Sequence, residues 1–186
     1  MTFSALLLAG GESRRMGRDK ATIEFDGRPL WKRQMELLRA LGPGKMFVSA
    51  RTKPAWLPDD VELLLDDPPS RGPISGITKA LGAISTTHLV VIAVDMPFMT
   101  AAELRRLLER ATEGRGVVPM IGDRAEPLAA IYPATAAIDF QTALGESDWS
   151  IQSVVRKLAD GEKIKLWAVH DSSLYRSLNE PSDVKL

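Results

Sequence analysis

The chain contains no cysteine, which excludes disulfides and thiolate metal sites and is compatible with a reducing compartment. It has only two histidines, His88 and His170, so a metal ion would be held mainly by oxygen ligands. No net charge is left over, because 24 Lys and Arg balance 24 Asp and Glu. Nucleic-acid binding calls for a basic excess or a basic face, so no nucleic-acid partner is expected. No apolar run approaches the length that spans a bilayer. The start, Met1-Thr2-Phe3-Ser4-Ala5-Leu6-Leu7-Leu8, lacks the basic head and the apolar length of a secretion signal. No membrane partner is expected, and the expected location is the cytoplasm. Repeats, low-complexity tracts and linkers are also missing, which points to one domain over residues 1–186. A chain of 186 residues can bury about 70% of its unfolded surface without covalent staples.

What is present is an alternation of short apolar runs with helical periodicity. Phe3–Leu8 reads as the first strand. Leu30, Trp31, Met35, Leu37, Leu38 and Leu41 recur at helical spacing and stop at Gly42-Pro43-Gly44. Met46–Ala50 and Val61–Leu65 read as strands, and Ile74, Ile77, Leu81 and Ile84 mark a helix behind Arg71-Gly72-Pro73. Leu89–Val94 is the most hydrophobic run and is expected to be the central strand. Thr100-Ala101-Ala102-Glu103 predicts a capping box ahead of the stripe Leu104, Leu107, Leu108 and Ala111. Val117–Met120 and Leu128–Tyr132 read as strands around the turn Gly122-Asp123-Arg124. Ala134–Leu144 and Ile151–Leu158 read as helices, and Ile164–Val169 as a late strand. The expected fold class is α/β, a Rossmann-like three-layer α/β/α arrangement around a mostly parallel sheet. Ligands in such sheets bind outside the carboxyl ends of the strands.

The most informative segment follows the first strand: Leu8-Ala9-Gly10-Gly11-Glu12-Ser13-Arg14-Arg15-Met16-Gly17-Arg18-Asp19-Lys20. Its glycines let backbone N–H groups close on an anion, and its Arg and Lys side chains add positive charge. These are the parts of a triphosphate cradle. Spacing excludes two common ones. Five residues separate Gly11 from Gly17, where a P-loop has four, and Lys20 is followed by alanine. Gly10 and Gly11 are adjacent, so the dinucleotide fingerprint is absent.

Asp95-Met96-Pro97-Phe98 directly follows the central strand. A carboxylate leaving a buried strand end suits magnesium, which takes one or two carboxylates plus phosphate oxygens. The other reading of Asp95 is a turn former ahead of the helix at Thr100. Asp66-Asp67-Pro68-Pro69-Ser70-Arg71-Gly72-Pro73-Ile74-Ser75-Gly76 also follows a strand and opens a helix, whose free N–H donors suit a base edge or a ribose. An ordinary turn feeding a helix is the alternative. His88 and His170 read as surface or boundary residues, Trp56, Trp149 and Trp167 as packing, and Arg105-Arg106 and Arg156-Lys157 as solvated helix faces. No Ser-His-Asp set is placed for nucleophilic hydrolysis.

The pattern L-A-G-G-x-S-x-R-M-G-x-D-K resembles the signature loop of the molybdenum cofactor guanylyltransferases, the MobA-like NTP transferases. The resemblance extends over nearly the whole chain. It takes in Asp66 before Gly72-Pro73-Ile74-Ser75-Gly76, the Asp95-Met96-Pro97-Phe98 motif, Glu126-Pro127-Leu128, and Asn179-Glu180-Pro181-Ser182-Asp183. Two positions depart from the family pattern: Ile74 replaces a leucine, and Ser177-Leu178-Asn179 stands where Asn-x-Asn is common. The resemblance implies a three-layer nucleotidyltransferase that moves GMP from GTP to molybdopterin or its molybdenum-loaded form and releases pyrophosphate. It further implies that Arg15 and Lys20 bind and polarise phosphates, that Leu8, Ala9, Gly10 and Gly11 face the nucleotide, and that Asp66 and Gly72 lie in the nucleoside pocket. Asp95 would hold Mg²⁺, so the implied catalytic set is Arg15, Lys20 and Asp95. Glu126 and Asn179 would lie on the acceptor side, Asn179 alternatively completing the metal shell. The N-terminal half would bind nucleotide and the C-terminal half the acceptor, with molybdoenzymes and accessory proteins as partners. Two alternatives stay open: a relative using CTP or a sugar 1-phosphate, and a nucleotide-binding regulator without catalysis.

Overall fold

Both faces of the main sheet are covered by helices, and the strand sequences show why. In the computed structural model, which describes residues 1–10, 19–67, 70–146 and 150–178, β1 (Phe3–Leu8) sends Ala5 and Leu7 into one core and Leu6 and Leu8 into the other. β6 (His88–Ala93) divides in the same way, with Val90 and Ile92 on one side and Leu89 and Val91 on the other. A strand buried on both faces must be apolar throughout, which is what these two runs are.

Among the described residues the sheet has eight strands. β4 (Met46–Ala50), β5 (Glu62–Leu65), β7 (Gly116–Ile121), β9 (Ala129–Pro133) and β10 (Ile164–Ala168) complete the order β10-β7-β9-β6-β1-β4-β5, with the short β8 (Arg124–Ala125) on β7. β1, β4, β5 and β6 pair in parallel, as β7 and β10 do, whereas β9 runs antiparallel to both its neighbours. A separate small ribbon joins β2 (Glu24–Phe25) to β3 (Arg28–Pro29). The expected α/β class with a mostly parallel sheet is therefore found, with β9 and the short β8 reversed.

One core lies under α1 (Leu30–Arg39) and α3 (Ala101–Leu108), where Leu30, Met35, Leu38, Leu104 and Leu107 are buried. The other lies under α2 (Pro73–Ala83), α4 (Ala137–Gly145) and α5 (Ile151–Asp160), with Ile74, Ile77, Leu81, Phe140, Val154 and Leu158. α2 seats closely because Gly76 has no side chain: a Cβ there would stand 2.3 Å from Ser49 Oγ. The predicted helix at Ala134 begins one turn later, because Ala134–Ala136 forms a 3-10 turn before α4. Among the described residues no helix is long and apolar enough to cross a membrane.

Two expectations change. His88 does not sit at the surface: it opens β6, is fully buried, and its Nε2 lies 3.0 Å from the Thr112 carbonyl, a contact that needs an N–H. Burial holds its pKa below the ordinary 6.5. The capping box at α3 is half formed. Thr100 Oγ1 accepts from Glu103 N at 3.2 Å, but the Glu103 carboxylate accepts from Tyr175 Oη at 2.9 Å and from Arg106 at 3.3 Å. A buried tyrosine proton outcompetes the reach back to the cap.

Candidate active site

The carboxyl ends of β1, β4, β5 and β6 lie side by side, and backbone bonds carry the alignment past the last strand residues. Ala9 N donates to Ser49 O at 2.9 Å, Asp66 N to Ala50 O at 3.0 Å, and Val94 N to Leu8 O at 3.0 Å. This places Ala9-Gly10, Arg51, Asp66 and Asp95 around one cavity of about 240 Å³. Leu8, Lys20, Ser49, Gly72, Pro73, Ala93, Val94 and Leu128 complete its lining. Of the residues singled out in the sequence, Leu8, Ala9, Gly10, Lys20, Asp66, Gly72 and Asp95 thus meet at one place. Gly11, Arg15 and Asn179, also expected at the site, lie outside the described residues, as does Trp149.

Lys20 Nζ donates to Asp95 Oδ2 at 2.8 Å, across 75 residues of sequence, and both side chains are about one-fifth exposed. The lysine enters from a 3-10 turn, Lys20–Thr22, capped by Asp19 Oδ1 accepting from Ala21 N at 3.0 Å. The other oxygen of Asp19 accepts from the Trp56 indole N–H at 3.3 Å, and Trp56 stacks on Trp31 with ring centroids 5.2 Å apart. Trp56 is therefore a packing residue, and it pins the turn that presents Lys20. Trp167 is held by cation–π contact with Arg110 at 4.1 Å and Lys165 at 5.0 Å.

Asp66 closes the opposite side. Its carboxylate accepts from Ser49 Oγ at 3.1 Å and from Ser70 Oγ at 2.8 Å. The chain then reaches Gly72 at φ +66 and ψ −145, a conformation open to glycine and strained for other residues, before Pro73 starts α2. Proline at the first helical position costs no hydrogen bond, and Gly72 and Pro73 bring the N-terminal end of α2 to the cavity.

Leu128 brings the second half of the chain into the lining, and Glu126 stands behind it. Glu126 Oε1 accepts from Leu128 N at 3.2 Å. Burial pushes the Glu126 carboxyl above the ordinary carboxylate range, and the charge of Asp95 adds to this; the Leu128 N–H and Arg124 act the other way. The segment leading to Asn179 is tied to the same place, since Leu178 N donates to Asp95 O at 2.8 Å.

Among the described residues no group of three or more His, Asp or Glu side chains converges as a metal cage. A single carboxylate beside an anion pocket still fits magnesium, which keeps waters and shares phosphate oxygens. Ser49 and Arg51 have no sequence signal beyond the strand-end rule, whereas Ser70 lies within the segment 66–76 that the sequence singles out. Arg33 and Gln34, which contact the loop after β6, carry no local signal.

A family model described as "MobA-like NTP transferase domain" matches residues 5–162. A relative from Opitutus terrae, named probable molybdenum cofactor guanylyltransferase, is 35% identical over 182 residues, covering 95% of this chain and 90% of its own. Among solved structures, molybdopterin-guanine dinucleotide biosynthesis protein A from Archaeoglobus fulgidus superposes with a TM-score of 0.73 at 23% identity, covering 98% of this chain and 95% of its own. A 4-diphosphocytidyl-2C-methyl-D-erythritol synthase from Anaerococcus prevotii gives a TM-score of 0.76 at 12% identity, with 98% and 92% covered.

Proposed function

The chain belongs to the MobA-like NTP transferase family, and we propose that it transfers GMP from GTP to molybdopterin or its molybdenum-loaded form, releasing pyrophosphate. The observation that carries this reading is the Lys20–Asp95 pair, 2.8 Å apart, at a cavity built from the ends of four parallel strands. The fold alone does not choose the nucleotide, because a cytidylyl relative shares it; the guanylyl assignment rests on the sequence relatives.

An acceptor phosphate is already anionic, so attack on the α-phosphorus needs no protein nucleophile and no strong base. The chain's work is alignment and neutralisation of charge on the reacting and leaving oxygens. Lys20 and Asp95 hold each other until ligand arrives. With substrate, the Lys20 ammonium would bind phosphate oxygens and the Asp95 carboxylate would hold the divalent cation. When bound, Mg²⁺ supplies Lewis acidity and a template for the phosphates, with Asp95 as its protein ligand. Arg15 adds a second cation on the phosphates. Gly10 and Asp66 border the nucleoside, with Ser49 and Ser70 fixing the Asp66 carboxylate. Glu126 and Asn179 belong to the acceptor side; a carboxylate there suits the N–H donors of a pterin ring.

The test is direct. Purified protein incubated with GTP, molybdopterin and Mg²⁺ should release pyrophosphate and form a guanine dinucleotide, and CTP should serve poorly. Equal use of CTP would overturn the guanylyl assignment, and no pyrophosphate with any nucleotide would overturn transfer.

A further inference from the structure

The loop after β6 leaves the sheet with three consecutive backbone carbonyls to satisfy, and each accepts a bond from a distant part of the chain. Asp95 O accepts from Leu178 N at 2.8 Å, Met96 O from Gln34 Nε2 at 2.6 Å, and Pro97 O from Arg33 Nε at 2.7 Å. Met96 O also accepts from Met99 N at 3.2 Å. The next residue is gripped through its ring: Phe98 lies edge-on to Phe25 at 5.2 Å and under the Arg176 guanidinium at 5.1 Å.

Gln34 is the unusual member. It is fully buried on α1, whose other buried positions are the apolar Leu30, Met35 and Leu38. Its Oε1 is buried too and has no hydrogen-bond partner among the described residues. Leaving a buried acceptor unpaired costs stability. The amide keeps one good bond at that cost, and the bond goes to the carbonyl adjoining Asp95.

We infer that Gln34, assisted by Arg33, is a positioning residue for Asp95: the two donors on α1 fix the path of the loop after β6 and so set where the carboxylate meets its cation. The consequence for catalysis rests on the reading of Asp95 given above; the clamp itself does not.

The test separates the two. Gln34→Met removes the donor and the orphan acceptor at similar volume, and the half-buried Arg33→Met removes the bond to Pro97. Amide hydrogen exchange, with no nucleotide present, should rise about tenfold or more in residues 95–99 while the strands keep their protection. In turnover assays the magnesium concentration at half-maximal rate should rise about fivefold, with the KM for GTP within about twofold of the parent. Unchanged exchange in both variants overturns the clamp. Exchange that rises equally across the sheet also overturns it, because that is general destabilisation. Faster loop exchange with the parent's magnesium dependence overturns the link to Asp95. A parent protein that turns over no GTP sinks the functional reading, and the exchange measurement still decides the clamp.

Discussion

On the β1–β4–β5 side of the cavity, parallel strands deliver their ends in register, and each end places a lining residue on the next one or two positions. Ala9-Gly10, Arg51 and Asp66 arrive in this way. On the β7–β9 side the strands oppose each other, and the cavity is met less directly: Leu128, whose N–H donates to Glu126 Oε1, lines it, and the C-terminal segment is tied in through Leu178 N to Asp95 O. Asp95 stands between the two constructions, at the end of β6, which pairs parallel with β1 and antiparallel with β9. A parallel edge builds a pocket from local motifs. The antiparallel side adds one lining residue, Leu128, and the long-range bond from Leu178 N. The proposed function puts the nucleotide on the first side and the acceptor on the second.

The largest expected effect breaks the comparison on its parallel side. Lys20→Ala should lower kcat by about 10²–10³, the scale of losing one preorganised charge on developing oxyanions. Thermal unfolding should stay close to the parent, since Lys20 lies outside both cores. Near-normal turnover would remove Lys20 from the chemistry.

A smaller effect sharpens the division. Glu126→Gln and Asn179→Ala should each raise the acceptor's KM or cut kcat, with GTP–magnesium affinity changed by less than about threefold, because a contact with one ligand alters that ligand's terms. Weaker binding of both GTP and magnesium in Asn179→Ala would move Asn179 from the acceptor to the metal.

The smallest effect lies at the opposite end of β6. His88 is buried and its pKa is held below 6.5, so the unfolded chain takes up its proton first as pH falls. Stability from this group is complete above about pH 6.5 and declines below it, toward the lower folded pKa. His88→Gln should flatten that part of the stability–pH profile without moving the turnover profile, and urea titrations at several pH values would show it.

These contrasts also explain what the sequence made legible. β1, β4 and the apolar stripes of α1 and α3 could be read because burial dictates composition, and two covered faces demand continuous apolar runs. The direction of β9 could not, since a strand buried on both faces looks the same either way. At the site, Lys20, Asp66, Gly72 and Asp95 were visible as punctuation after strands. Gln34 and Arg33 were hidden, because their partners lie 62 and 64 residues away and nothing in the pattern of α1 announces a buried donor. Glu103 was misjudged for the same reason: its partner Tyr175 is 72 residues distant.

The central claim is that Lys20 and Asp95 trade their mutual bond for phosphate and cation. It is tested most directly by calorimetric titration of GTP into the parent and Asp95→Asn at a series of magnesium concentrations. Removing the carboxylate charge at constant shape should leave GTP affinity without magnesium equal to or tighter than the parent's, because Lys20 is released from its partner. The gain in affinity on adding magnesium should fall by about tenfold or more, the scale of losing a charged ligand to a hard cation. A variant whose GTP affinity responds to magnesium as the parent's does would show that Asp95 is a turn residue and that the exchange of partners does not occur.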